Sequence, residues 1–222
     1  KQVSLRGRER RESFEQKITR PHFHVKPLDD AQLSAWAEFL DFEQGQATGG
    51  AGRVHFFAGR KRQRGGGAGA RGGAKVGAEA GVEARGGEVE RLFERCLVPC
   101  ASYWWLWERY ALWKESLWGV DAALEVVDRA CSPFLQWRPE ALFFRAELLE
   151  RVGRMEEARG VYQRVLSEVA PGLVEAACKL ACFERRCGNR EAASAAYRLL
   201  LPPPLGGADG SSNWQETTET TR

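Results

Sequence analysis

Histidine occurs three times and methionine once in the 222 residues. No P-loop, dinucleotide-binding glycine fingerprint or nucleophile motif is present, and so few histidines leave little scope for general acid–base work. The abundant Glu and Arg sit at helical spacing, where a solvated face or i, i+4 pairs account for them. Catalysis therefore has little support, and no catalytic residue, cofactor or small-molecule substrate is expected. No apolar run reaches membrane-spanning length and no charged n-region with an apolar h-region opens the chain, so no membrane contact is expected either. The chain begins at Lys1 and its single methionine is Met155. It reads as a fragment of a longer protein, in which the lack of a targeting signal says little.

Metal ligands are also scarce. His22 and His24 form a His-x-His pair, but no cysteine or acidic set lies at matching spacing. No metal site is expected, and the two rings are assigned to a strand-like linker packed between repeats. The six cysteines include Cys96/Cys100 and Cys178/Cys182, each at i, i+4, with Cys131 and Cys187 besides. Such pairs share a helix face and could offer two thiolates. All six fall on or beside apolar stripes, where free cysteine behaves as a small hydrophobe, so core packing is expected.

Repetition is what the chain has in quantity. RAELLERVGRMEEARGVYQRVL, from Arg145, and LACFERRCGNREAASAAYRLLL, from Leu180, fall into step at a shift of 35. Leu148 then matches Phe183, Gly153 matches Gly188, Ala158 matches Ala193, and Tyr162 matches Tyr197. Each copy reads as the end of one amphipathic helix, a Gly-centred turn and a second helix. Phe93, Val127, Tyr162 and Tyr197 continue the register at spacings of 34, 35 and 35. A period in the mid-thirties with two helices per unit is the mark of a helical solenoid. The small residues Ala123, Ala158 and Ala193 should let paired helices approach, while Leu97, Tyr162, Phe183 and Tyr197 should fill the seams.

An earlier copy sits at Phe14, but its distance to Phe93 is 79 and exceeds the period by 44. The tract from Gly45 to Glu88 has that length, holds 15 of the 24 glycines, and carries eight Lys/Arg against three Glu. Its +5 outweighs the +3 of the whole chain, so the remainder is at −2. Such a composition buries too little apolar surface to offset its ordering entropy, and disorder is expected. The organisation predicted is a partial repeat, an extended linker and a first helix over 1–43, a low-complexity Gly/Ala/Arg insert over 44–88, a solenoid over 89–201, and a disordered tail over 202–222. Pro202, Pro203 and Pro204 stop the last helix.

RPHFHVKPLDDAQLSAWAEFLDFE (Arg20 to Glu43) and LFERCLVPCASYWWLWERYALW (Leu92 to Trp113) resemble the pre-mRNA-processing factor 39 family. The FHVKPLD stretch joined to a Gln-Leu-x-x-Trp helix is the specific part. The resemblance runs from about Arg10 to Glu43 and from Val89 to about Leu200. His22 departs from it, standing where a tyrosine is expected, and the Gly-rich tract has no counterpart there. The resemblance implies an all-α, right-handed solenoid of half-a-tetratricopeptide (HAT) repeats. It also implies a nuclear, non-catalytic scaffold of splicing that associates with U1 small nuclear ribonucleoprotein (snRNP) proteins in 5′ splice-site recognition, as a homodimer or with a paralogue.

Two surface features are candidates for contact. Trp104, Trp113 and Trp118 stand around the core positions Trp107 and Tyr110, and are read either as inter-repeat packing or as an exposed protein-binding surface. Arg60, Lys61, Arg62 and Arg64 lie in the Gly-rich tract and look like an Arg-Gly RNA contact or a localisation patch. With few aromatics to stack bases, RNA contact is expected to be weak or indirect. Competing readings are a tetratricopeptide-like adaptor in another RNA-processing complex, such as 3′-end cleavage and polyadenylation, and direct RNA binding through the Arg/Gly tract.

Overall fold

The computed structural model describes residues 2–24, 26–47 and 76–199. Among these, every regular element is helical: α1 (Gln2–Lys17), α2 (Asp30–Ala47), α3 (Val76–Cys100), α4 (Trp104–Trp118), α5 (Val120–Cys131), α6 (Pro139–Val152), α7 (Met155–Arg164), α8 (Val174–Arg186) and α9 (Arg190–Arg198). A π-helical turn, Val165–Val169, prolongs α7. The helices pair as α2/α3, α4/α5, α6/α7 and α8/α9, and each pair packs on the next through α3/α4, α5/α6 and α7/α8. α1 leads the stack as the second helix of a preceding unit, laying Phe14 on Phe39 of α2 with ring centroids 5.3 Å apart.

The expected alanines do sit at the crossings. Ala123, Ala158 and Ala193 are buried within α4/α5, α6/α7 and α8/α9, where a larger side chain would hold the helices apart. Aromatic rings then fill the seams between units. Phe93 stacks on Tyr110 at 4.8 Å, and Tyr162 meets Phe183 of the following hairpin at 5.5 Å and Phe143 of its own at 6.4 Å. Apolar burial is therefore continuous along the stack, which is how a solenoid replaces a closed core.

The repeated glycine is demanded by backbone geometry. Gly153 and Gly188 follow α6 and α8 at φ of +89° and +84°, a left-handed conformation that costs other residues. In both turns the glycine N–H bonds three residues back, to Glu150 or Arg185. The next N–H bonds five back, from Arg154 to Leu149 at 2.9 Å and from Asn189 to Glu184 at 2.8 Å. The start of α2 is capped as the sequence suggests, since Asp29 Oδ1 accepts the Gln32 N–H at 2.9 Å. The linker before it is pinned to the stack by Leu28 N–H donating to the Tyr103 hydroxyl at 3.0 Å.

Three expectations about helix extent and core packing need correction. α2 runs on to Ala47 and α3 begins at Val76, inside the tract expected to lack helix. The stretch from Val76 to Arg85 intersperses its glycines with Ala and Glu, which favour helix. Residues 48–75 lie outside the described residues, as does the tail. Tyr197 does not fill a seam; it is 40% exposed, because no described helix follows α9 to cover it. Nor do all six cysteines pack as core. Cys96, Cys100 and Cys131 are buried, but Cys178 and Cys187 are half-buried and Cys182 is exposed, on the side of α8 turned toward an open groove.

Candidate functional site

A groove of about 1090 Å³ opens between α6, α7 and α8. Its floor is the Tyr162 ring, 2% exposed, whose hydroxyl donates to Glu150 at 2.9 Å. Burial, and then the Glu150 carboxylate, push the Tyr162 phenol well above its ordinary value, so it stays protonated and keeps its hydrogen for Glu150. Glu150 also accepts from Arg186 at 2.7 Å, and Lys179 pairs with Glu147 at 2.8 Å, so two of the three cations of α8 reach back to α6. Glu184 is the buried carboxylate of this region. It accepts from Arg159 at 2.6 Å and from the Asn189 amide at 2.9 Å. The Arg159 hydrogen bond, against the opposing effect of burial, holds its carboxyl below the usual range.

The same cross-unit pairing recurs with the period of the sequence. Arg151 pairs with Glu115 one unit back, and Arg186 with Glu150, both on the first helices. On the second helices Arg95 pairs with Glu15, and Arg129 with Glu94 at 2.8 Å. Nearer the start, Arg109 is buried and ties α4 to α2 through Asp41 at 2.5 Å and Gln44. Burial pulls the Arg109 guanidinium below its ordinary value, and Asp41 opposes that. These bridges recur along the described stack at the spacing of the repeat.

The three candidate tryptophans have three different environments. Trp113 is 7% exposed and lies in the core, which corrects its place among the exposed candidates. A shift of 35 carries it to Leu148 and then to Phe183, both buried seam residues, so the repeat register itself contained this placement. Trp104 is half-buried, its ring edge-on to Phe144 at 5.6 Å. Trp118 is 42% exposed at the end of α4, with Lys114 Nζ 4.7 Å above its ring. Sequence reasoning missed Phe134 and Trp137, which stand out from the α5–α6 connection, and Phe23 in the linker before α2. Connections carry no helical periodicity, so their aromatics gave no signal.

His22 and His24 are exposed and do not pack between repeats. His24 Nδ1 accepts the Lys26 N–H at 2.9 Å, closing a local turn. Among the described residues no group of three or more His, Cys, Asp or Glu is placed to hold a metal ion. No described helix is long and apolar enough to cross a membrane. Arg60, Lys61, Arg62 and Arg64 lie outside the described residues.

The model of the PRP39 C-terminal HAT repeat matches residues 9–60 and 82–186. It thus reaches further into the Gly-rich tract from both sides than the resemblance read from motifs, and stops short of Leu200. Pre-mRNA-processing factor 39-2 of Arabidopsis thaliana is 32% identical over 199 residues, 88% of this chain and 15% of that protein. Pre-mRNA-processing factor 39 of Homo sapiens is 32% identical over 184 residues, 83% of this chain and 22% of that protein. The chain thus spans less than a quarter of the length of these relatives. Among solved structures, MamA is similar at a TM-score of 0.44 and 10% identity, over 79% of this chain and 94% of that one. With more than half of its residues matched on both sides of the Gly-rich tract, the chain belongs to the PRP39 C-terminal HAT repeat family, that of the pre-mRNA-processing factor 39 proteins.

Proposed function

We propose that this chain is part of a non-catalytic, nuclear scaffold of pre-mRNA splicing, which associates with U1 snRNP proteins in 5′ splice-site recognition and works paired with a second copy or a paralogue. The observation that carries the reading is the family match over residues 9–60 and 82–186, with relatives named for pre-mRNA processing. The architecture is compatible with it. A stack of hairpins bridged at a regular period presents long side faces to protein partners, and Trp118, Phe134 and Trp137 put large rings on the surface. Trp104 and Trp118 are the members of the tryptophan group that a partner could reach. A pulldown from nuclear extract tests the proposal. Recovery of U1 particle proteins is the expected result, and recovery of cleavage and polyadenylation subunits instead would overturn it. The Arg60–Arg64 contribution is tested separately by deleting the Gly-rich tract and measuring salt-sensitive RNA binding, which is expected to be weak in both forms.

A further inference from the structure

Units of the stack offer carboxylates to the units that follow them. On the first helices Glu115 accepts from Arg151, and Glu150 from Arg186. On the second helices Glu15 accepts from Arg95, Glu94 from Arg129, and Asp128 from Arg145 of α6 at 2.5 Å. The repeat register carries both series to the last described hairpin, and there the sign changes. A shift of 35 takes Glu115 to Glu150 and then to Arg185. The residues that follow Phe14, Phe93, Val127, Tyr162 and Tyr197 are Glu15, Glu94, Asp128, Gln163 and Arg198. Arg185 and Arg198 are exposed, and neither side chain has an ion pair or hydrogen bond among the described residues.

The surface around Arg185 is the groove of the preceding unit, one period on. A recess of about 710 Å³ on α8 and α9 is lined by Arg185, Arg190 and Tyr197. These match Glu150, Met155 and Tyr162, which line the groove beside α6 and α7. In that groove α8 is the opposite wall, setting Phe183 against the Tyr162 ring at 5.5 Å and Arg186 on Glu150 at 2.7 Å. At the end of the stack Tyr197 is 40% and Leu199 66% exposed. The sequence beyond does not repeat α8. After three prolines at 202–204, a shift of 35 puts Thr218 and Thr221 where Phe183 and Arg186 would recur. The face therefore repeats the positions that seat a helix one unit earlier, but with cations where that unit has a carboxylate and a glutamine.

We propose that the outer face of α8 and α9 docks an amphipathic helix of a partner protein, with an aromatic or large apolar residue on Tyr197 and carboxylates at Arg185 and Arg198. In charge this helix is the reverse of α8, which brings Arg186 to Glu150. The reversal also sets specificity. A first helix of the kind found within the stack would bring an arginine against Arg185, and like charges in contact oppose binding.

The test uses the 222-residue chain under reducing conditions and a hydrocarbon-stapled, fluorescent peptide of the α8 sequence Val174–Arg186 that carries Arg186→Glu. Anisotropy should show saturable binding, and Arg185→Glu combined with Arg198→Glu in the chain should weaken it at least roughly tenfold. Both arginines are exposed, so the double variant should melt as the parent does. The peptide that keeps Arg186 should show the opposite preference, binding the Arg185→Glu chain more tightly than the parent. No binding, or equal affinity of the two peptides for the parent chain, would overturn the proposal. A parent dimer in sedimentation that dissociates in the double variant would assign the face to a second copy and overturn it as well. So would peptide binding that appears only once residues 203–222 are deleted, which would assign the face to the chain's own tail. A labelled oligouridylate that binds through Arg185 and Arg198 while the peptide does not would make the partner RNA instead.

Discussion

Tyr162 and Tyr197 occupy the same position in consecutive hairpins, yet one is 2% and the other 40% exposed. Each follows the same alanine by four residues and the same turn glycine by nine. The difference lies in what comes next. Tyr162 has Phe183 of α8 against its ring, whereas Tyr197 shares a surface with Arg185 and Arg190 and no described helix covers it. In a stack of this kind a residue's burial is a property of its neighbouring unit as much as of its own sequence, so equal positions need not contribute equally.

The largest effect should come from truncating the two tyrosines. Tyr162→Ala removes a buried ring and leaves Glu150 with one donor fewer, and is expected to cost about 3–5 kcal/mol. Tyr197→Ala should cost under about 1 kcal/mol, as for other exposed sites. Denaturant unfolding of both variants measures the contrast. Equal losses would show that the outer face of α9 is covered in solution, and would erase the distinction drawn above.

How much of this could be read beforehand follows the same division. The hairpins, the alanine crossings and the Gly153 and Gly188 turns were legible, because each is set by spacing within one unit. Phe183 and Tyr162 were placed in the seam correctly, since both have a neighbour on each side. Tyr197 and Cys182 were not, because the register gives a residue's place in its own hairpin and says nothing of whether another helix follows or which side of α8 stays open. The extension of α3 back to Val76 was masked by glycines scattered among good helix formers. Trp113 was legible but unread: its matches, Leu148 and Phe183, already marked it as core.

Glu184 sharpens the comparison from the polar side. The matched residue of the preceding hairpin is Leu149, which is fully buried, so α8 places a carboxylate where α6 places an apolar side chain. Glu184→Gln weakens the bond from Arg159 while keeping the shape, and should cost about 1–3 kcal/mol at neutral pH. The pH dependence has a definite sign. The Glu184 carboxyl is held below its ordinary value by Arg159, and the Glu15 carboxyl by Arg95, so below about pH 4.5 the unfolded chain binds more protons. Their stabilisation is present above that pH and is lost as pH falls through the lowered values. Stability measured from pH 6 down to pH 3 should drop less in Glu184→Gln than in the parent. A parallel drop would mean that Glu184 contributes nothing through its charge.

The glycine turns offer a smaller test of equivalence. Gly153→Ala and Gly188→Ala each force a side chain into a left-handed conformation, at a cost of roughly 1–2 kcal/mol. No neighbouring atom lies within 4 Å of where either Cβ would sit, so conformation alone sets the cost, and the two losses should agree within experimental error. Thermal melts of the two variants check this. A much larger loss at Gly153 would mean that the inner turn transmits strain along the stack while the outer one does not.

The ion pairs between units should give the smallest change, and they separate spacing from stability. Arg151 to Glu115 and Arg186 to Glu150 are the same bridge one period apart, and both guanidinium groups are substantially exposed. Exposed pairs contribute little, so Arg151→Ala and Arg186→Ala should each cost under about 1 kcal/mol. The cost should fade toward 1 M salt, where the screening length is about 3 Å. Arg186→Ala is expected to be the milder of the two, because Glu150 keeps the Tyr162 hydroxyl as a donor. Unfolding at low and high salt reads both numbers. If the loss persists in high salt, the arginines act through the apolar stems that lie along the groove and not through charge, and the periodic pairing would then be a consequence of helix packing and not a contributor to it.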